Sequence, residues 1–307
     1  MKKYNLLFAL FCSIFAFAQS YDIKLNLKKG QNYEMMQVVD MDMQQNFQGQ
    51  EIPVKVKGNV GVLCKVVDAK ANSYVLDTHF TYISTAVDAM GNKINFDTKS
   101  NSDHEVAQSL KKMINRNFKI EISDKGKILN ITGNKEIQNQ IKKELGTPDA
   151  SMEKFLEMYN DNAIKQTFEA VYTFPEKAVE KGDQWKGGYI TNSGYNVQND
   201  VTYTLEDVDN THYTVNYTAD VKTLPAQVME QNGMKMMPDL KGKTVGSLKL
   251  KRESGWISFL ETEGKMTGDI TMIDMGNAKI QMEMTTKMNY FPQSEPTSPP
   301  PPSMPAK

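Results

Sequence analysis

Hydrophobic and polar residues alternate along most of the chain between residues 21 and 291. From Tyr33 to Phe47 the odd positions are mostly apolar and the even positions mostly polar, and the stretch from Ile52 to Val66 repeats the pattern. A period of two places successive side chains on opposite faces of a β-strand, so each segment predicts a strand with one buried face. Short turns separate the segments, which predicts an antiparallel meander.

The predicted strands are long. Fifteen residues at about 3.3 Å each extend for about 50 Å, whereas an ordinary strand has about five or six residues. Strands of this length twist, so we expect the sheet to curl instead of lying flat.

Three apolar stripes at helical spacing interrupt the β pattern. The first follows a capping box at Ser102–Glu105 and comprises Val106, Leu110, Met113, Ile114 and Phe118. The second comprises Ile137, Ile141 and Leu145. The third comprises Met152, Phe155, Leu156, Tyr159 and Ala163, and could continue to Ala170. Between the first two stripes, Lys119 to Thr132 predicts a hairpin that turns at Asp124–Gly126.

The predicted fold class is therefore α+β: a long, curled, antiparallel sheet resembling a half-barrel, with inserted helices packed on its concave face. We predict one domain over residues 19–291, made of a β half at 21–100, a helical insert with a hairpin at 102–170 and a second β half at 173–291.

The two β halves carry similar turns in the same order. Lys28–Tyr33 corresponds to Glu180–Trp185, and Ser123–Ile128 corresponds to Glu253–Ile257. Such turns recur in any meander because Gly, Asn and Asp suit positive φ. The halves are thus either a duplication or two similar meanders, and a duplication would pair them into one larger sheet.

Both ends of the chain differ from the body. Residues 1–18 carry Lys2 and Lys3, an apolar run and a final Ala-Phe-Ala, which predicts a cleaved signal peptide and export to the periplasm or the extracellular space. The run is too short to span a membrane, and Phe11 before Cys12 disfavours a lipoprotein. Residues 292–307 hold seven of the twelve prolines and predict a disordered tail, which could also meet a protein partner.

Composition and charge exclude one class of partner. The 307 residues include 36 Lys and Arg and 37 Asp and Glu, a formal net charge of −1. Nucleic-acid binding needs a basic surface that displaces counterions. We therefore expect no nucleic-acid partner.

Methionine is the unusual component, with 20 residues that fall in clusters. Flexible, polarizable Met side chains suit irregular apolar ligands. If the concave face is hollow, it could hold an acyl chain against Val39, Met41, Met43, Phe80, Tyr82, Met282 and Met284. The alternative is that these side chains form ordinary core. The Met-rich segment from Leu224 to Gly242 is read either as a mobile flap or as a plain surface loop.

The remaining candidates for chemistry are weak. Soft thioethers bind Cu(I), but no His completes a ligand set. His79, His104 and His212 lack metal-ligand spacing, and Cys64 lies on an apolar strand face. Asp40 and Asp42 could serve a hydrolase at about 7 Å separation, but such pairs are common on solvated strands. We expect no catalytic site, no metal and no cofactor.

Three segments carry a family resemblance: Leu25–Tyr33, Leu240–Gly246 and Gly255–Ile257. With these, the chain resembles a family of uncharacterised secreted bacterial β-rich proteins that has no assigned activity. The expected architecture is loosely similar to the half-barrels of periplasmic lipoprotein carriers.

The expected function is thus that of an exported, non-enzymatic protein that binds an apolar small molecule such as a lipid. The alternative is a structural or adaptor protein of the cell envelope that acts through protein–protein contacts.

Overall fold

A computed structural model describes residues 19–101, 104–145, 153, 156–192, 195–231 and 233–292. The predicted signal peptide (1–18) lies outside the described residues, as does the predicted tail beyond residue 292. Within the described residues, thirteen strands form one sheet and three α-helices accompany it.

The first half of the sheet contains β1 (Asn32–Phe47), β2 (Gln50–Ala69), β3 (Ser73–Ala89), β4 (Asn92–Asp97), β5 (Phe118–Ser123) and β6 (Ile128–Thr132). The second half contains β7 (Gln184–Asn192), β8 (Asn196–Val208), β9 (His212–Thr223), β10 (Met229–Gln231), β11 (Met234–Lys251), β12 (Ile257–Met272) and β13 (Ala278–Phe291). The helices are α1 (Glu105–Met113), α2 (Asn134–Leu145) and α3 (Asp161–Val171), and a 3-10 turn spans Ile273–Met275.

Neighbouring strands are all antiparallel, in the order β6-β5-β3-β2-β1-β13-β12-β11-β9-β8-β7. The two short strands β4 and β10 extend the outer parts of β3 and β11. The halves meet where β1 pairs with β13 from Met36 to Phe47. The prediction of one continuous antiparallel sheet is confirmed.

The sheet is curled and does not close into a barrel. Helix α3 contacts both β6 and β7, the two terminal strands of the path, while α1 contacts α2, β3 and β4. One helix can reach both ends of an eleven-strand path only if the sheet bends round it. The predicted curled α+β architecture is confirmed.

The two faces of the sheet differ in chemistry. The inner face carries Met35, Val62 and Phe80, and Phe80 packs against the Tyr159 ring of the helical segment at 5.5 Å between centroids. The outer face carries charged residues in cross-strand pairs, such as Lys57 with Asp40 at 3.2 Å. The alternation read from the sequence produces this division directly.

Dense packing is concentrated at one end of the inner face, which we call the closed end. The segment before β1, the start of β3, β5, α1, α2 and the segment after α3 all contribute fully buried side chains there. These include Ile23, Leu25, Leu76, Leu110, Ile120, Ile141 and Tyr172. The opposite end carries the β1–β2, β3–β4 and β12–β13 turns, and we call it the open end.

Equivalent turns begin the two halves. The Gly30 N–H donates to the Val66 carbonyl at 2.8 Å, and the Gly182 N–H donates to the Leu205 carbonyl at 2.7 Å. A β-bulge follows each acceptor, between Val66 and Asp68 in β2 and between Leu205 and Asp207 in β8. The similarity read from the sequence thus extends to hydrogen bonding.

The halves also cross over each other. The backbone of Tyr172, before β7, lies against Gly126 in the β5–β6 turn, and the backbone of Lys24, before β1, lies against Gly255 in the β11–β12 turn. A Cβ at either glycine would collide with a backbone carbonyl oxygen. The segment that precedes each half therefore packs against a turn of the other half.

Three helical details differ from the sequence prediction. The N-cap of α1 is His104, whose Nδ1 accepts the Val106 N–H at 3.3 Å; Ser102 lies outside the described residues. Phe118 belongs to β5 and not to the first helical stripe, because α1 ends at Met113. Asn160 begins α3 as its N-cap, where the sequence reading placed it within the helix.

The predicted Leu224–Gly242 loop is also wrong, because most of it forms the β10–β11 hairpin. Pro238 lacks the N–H group that a strand residue donates. It lies between the part of β11 that pairs with β10 and the part that pairs with β9. At this position no neighbouring strand needs an N–H group from residue 238, so the proline costs the sheet no backbone hydrogen bond.

Candidate ligand-binding surface

A half-exposed apolar surface covers the inner face at the open end. Its centre is one row of residues directly opposite each other on four strands: Met41, Val56, Val87 and Ile94. Directly opposite residues project from the same face of a sheet. We define the open apolar surface as Val39, Met41, Met43, Val54, Val56, Val87, Ile94 and Met284.

The open apolar surface is accessible to solvent. Ile94 is 49% exposed, and the other members are partly buried. Met284 also packs against the buried core, whereas the β1 to β4 members are outside that core. They are held in place by strand pairing.

Four of the seven residues predicted to bind a ligand belong to this surface, and a fifth, Met282, adjoins it. Met43 lies opposite Met284, Met41 lies one row further along the strands, and Val39 one row beyond that. Met282, opposite Gln45, adjoins them but is only 7% exposed. Met282 is thus a core residue at the boundary of this surface.

Phe80 and Tyr82 lie elsewhere. Phe80 is buried at the closed end, against Phe118 and Tyr159. A β-bulge after Gly61 inserts one residue into β3, so Tyr82 lies opposite Gly61 on the outer face. There its hydroxyl donates to Asp97 Oδ2 at 3.1 Å. The sequence pattern grouped Phe80 with Tyr82 by simple alternation, which the bulge reverses.

The sequence reading missed four members of the surface: Val54, Val56, Val87 and Ile94. The sequence pattern placed Val54 and Val56 on the apolar face of β2. It did not give the register of β2 with β1, which brings them next to Met41 and Met43. The bulge hid the face of Val87, and β4, which carries Ile94, was not predicted.

Charge is confined to the outer face. Along β1 to β4 and β13, each charged side chain that the structure describes lies at an outward position of the alternation. Lys57 pairs with Asp40, and Lys55 pairs with Asp42 at 3.8 Å. The Asp40 and Asp42 carboxylates thus each face a lysine, which is an arrangement of ordinary cross-strand ion pairs.

Cys64 is a buried inner-face residue. Its Sγ accepts a hydrogen bond from Thr78 Oγ1 at 3.6 Å, and burial raises the pKa of the thiol to about 12. A protonated, enclosed thiol is a poor nucleophile. Within the described part of the chain, no group of three or more His, Cys, Asp or Glu side chains could hold a metal ion.

Two surface depressions lie away from the open apolar surface. One, of about 450 Å³, adjoins β5 and β6 near Asn117. The other, of about 410 Å³, lies between α3 and β7 and is lined mostly by polar side chains such as Gln166 and Gln198. Neither carries a buried ionisable cluster of the kind expected in an active site.

Comparison with solved structures identifies the fold. A structure described as showing lipid–protein interactions in lipovitellin is similar to this chain with a TM-score of 0.51 and 12% identity; the match covers 89% of this chain. This chain spans only 26% of the lipovitellin chain. A second structure, the COG4313 outer membrane channel from Pseudomonas putida F1, has 4% identity and a TM-score of 0.26, covers 87% of this chain and 97% of that one, and carries no argument at that score.

Sequence comparisons give the family. No curated protein matches the chain. None of the helices described above is long and apolar enough for a membrane span. A family model described as "Family of unknown function (DUF6263)" matches residues 71–257, which is more than half of the chain, and the protein therefore belongs to this family.

Proposed function

We propose that this protein is exported and binds a lipid acyl chain, or a similar apolar molecule, on the open apolar surface. The row Met41, Val56, Val87 and Ile94 carries the proposal, because it places accessible apolar side chains on the concave face of the sheet. Burying each CH₂ group of a ligand against such a surface contributes about 0.8 kcal/mol. An acyl chain thus gains several kcal/mol without any polar contact.

The chemistry of the surface favours an uncharged chain over a charged ligand. Val39, Met41 and Met43 line β1 on this face, and the neighbouring aspartates point to the other side. Flexible Met side chains adapt to chains of different shape. We propose that a charged headgroup, if the ligand has one, remains outside the concave face.

The likeness to lipovitellin supports the proposal at the level of fold. The lipovitellin structure is described in terms of lipid–protein interactions, so a sheet of this architecture can serve a lipid in another protein. Fold alone does not determine function, so the proposal rests on the open apolar surface of this chain.

Export and the lack of catalysis are parts of the same proposal. The features of residues 1–18 support cleavage and transfer out of the cytoplasm. The lysine partners of Asp40 and Asp42 support a binding role over hydrolysis.

Binding of a fluorescent fatty acid, cis-parinaric acid, tests the proposal. We expect saturable binding by the wild-type protein and at least tenfold weaker binding by Val56→Asp, which places a carboxylate within the central row. Val245→Asp is the matched control, because Val245 is 53% exposed and lies opposite Glu263 on the outer face. It should bind as the wild type does.

Circular dichroism and thermal melting would verify that both variants fold. Equal binding by Val56→Asp and the wild type, with both folded, would contradict the proposal. Organic extraction and mass spectrometry of protein purified from its own compartment should further detect a stoichiometric lipid. Protein without lipid that retains a protein partner would favour the adaptor alternative.

A further inference from the structure

Exposed methionines occupy the turns at the open end. Met90 follows β3 in the β3–β4 turn, Met234 begins β11 after the β10–β11 turn, and Met275 precedes the β12–β13 turn; they are 56%, 38% and 46% exposed. Turns of this kind normally carry polar residues or glycine. We call these three residues the methionine rim.

Met90 is placed there against a backbone preference. Its φ is +53° and that of Gly91 is +83°, the conformation that favours Asn-Gly in a two-residue hairpin turn. A methionine in this region is strained, and its side chain is not buried in return. Gln48 has the same φ before Gly49 in the β1–β2 turn, so the two-residue turn requires this conformation, and what distinguishes Met90 is an exposed apolar side chain at a position that suits a polar residue.

The rim methionines form two groups, separated by the β1–β2 turn with its Gln48 and Gly49. The Met90 N–H donates to the Pro53 carbonyl, which ties the β3–β4 turn to β2. The Lys235 N–H donates to Asp274 Oδ2 at 2.8 Å, which ties the β10–β11 turn to the β12–β13 turn. Pairing of β2, β1 and β13 joins the two groups.

A lysine follows each rim methionine within four residues: Lys93, Lys235 and Lys279. The Lys93 and Lys279 side chains are 78% and 64% exposed. The same turns also carry carboxylates: Asp88 Oδ1 accepts the Gly91 N–H and Asp274 Oδ2 accepts the Lys235 N–H. Lys93 pairs with Asp88 at 3.8 Å and Lys279 with Asp269 at 2.8 Å. The rim thus combines apolar tips with exposed, weak ion pairs, which can exchange partners with the phosphate and ammonium groups of phospholipids above hydrocarbon.

We propose that the methionine rim docks on the surface of a phospholipid bilayer. Met90, Met234 and Met275 enter the interface, while the lysines contact lipid phosphates. Docking in this orientation places the mouth of the open apolar surface against the bilayer, from which an acyl chain can enter. The docking goes beyond the proposed ligand binding and does not require that a ligand is bound.

Flotation with vesicles of phosphatidylethanolamine and phosphatidylglycerol (3:1) tests this docking on the purified protein. We expect the wild type to float with the vesicles and the double variant Met90→Asn/Met275→Asn to partition at least tenfold less. Asn is favoured at the positive φ of Met90, and Met275 is an exposed residue of a turn, so this variant should fold as well as the wild type. Met158→Asn, at a 60% exposed methionine away from the rim, is the matched control and should float normally.

Two further measurements separate this proposal from ligand binding. The double variant should still bind cis-parinaric acid, and Val56→Asp should still float. A wild type that does not float, a double variant that floats fully, or a Val56→Asp protein that no longer floats would each overturn docking through the rim. None of these results would by itself contradict acyl-chain binding.

Discussion

At the scale of single residues, glycines at the two crossover turns restrict the sequence most strongly. Gly126 and Gly255 have φ of +84° and +67°, and each also lies against a backbone that belongs to the other half. Gly30 has a similar φ of +87° but open space around it. Conformation and contact can therefore be separated experimentally.

We expect Gly30→Ala to destabilise the protein by about 1–2 kcal/mol, the cost of a left-handed alanine. Gly126→Ala should cost at least about 2 kcal/mol more, because the added Cβ must displace the Tyr172 carbonyl. Urea denaturation of the two variants provides the comparison. Equal losses of unfolding free energy in the two variants would show that the Tyr172 backbone moves aside at little cost.

Cys64 predicts an alkaline loss of stability. An unfolded cysteine has a pKa of about 8.5, whereas burial raises the pKa of Cys64 to about 12. Below the unfolded pKa both states keep the proton, so the stabilisation is complete. As pH rises from about 8.5 towards the folded pKa, only the unfolded state loses its proton, and stability falls by about 1.4 kcal/mol per pH unit.

The measurement compares the wild type with Cys64→Ala by urea denaturation at pH 7 and pH 10. The wild type should lose about 2 kcal/mol more between these values than the variant does. Buried tyrosines also titrate, but they are common to both proteins and cancel. Identical losses would contradict the assignment to Cys64.

At the scale of elements, the sequence predicted the type of most helices and strands but not their limits. The Lys119–Thr132 hairpin and the strands of β1 and β2 follow from periodicity alone. Phe118 was assigned to a helix because its spacing from Ile114 fits one, but tertiary pairing of β5 with β3 takes precedence there. Pro238 and the bulge after Gly61 depend on neighbouring strands, which a single segment does not reveal.

Asn160 provides a prediction at this scale. Its Oδ1 accepts the Ala163 N–H at 2.9 Å and caps α3. Asn160→Ala should reduce the free energy of unfolding by about 1 kcal/mol, while Asn160→Ser, which keeps an acceptor, should retain most of it. Urea denaturation checks both variants, and equal losses for Ala and Ser would argue against capping.

At the scale of the whole molecule, the two halves act as one folded body. They share the β1–β13 pairing, and each covers a turn of the other. Sequence similarity of the halves indicated one sheet but could not give the crossover, because it joins segments far apart in the chain. The open apolar surface was likewise only partly predictable: β1 and β13 showed their inner residues, whereas the contribution of β3 and β4 required the register.

Cooperative unfolding is the corresponding prediction. Leu76→Ala in the first half and Leu248→Ala in the second remove fully buried side chains, at a cost of about 2–5 kcal/mol each. Both should shift one shared transition. Because the Trp256 ring also contacts Tyr33 of β1, the measurement uses a Trp256→Phe background, in which fluorescence of Trp185 reports the second half and thiol labelling of Cys64 reports the first. Transitions that separate in either variant would show independent halves.

The position of α3 has a last consequence. This helix contacts both β6 and β7. Local unfolding of α3 would therefore expose the unpaired backbone edges of both strands at once. The two edges lie at opposite ends of the sheet, so the β6 edge of one copy could pair with the β7 edge of the next. Such head-to-tail pairing can continue as an open polymer. We therefore expect substitutions that unfold the eleven residues of α3 to promote polymer growth.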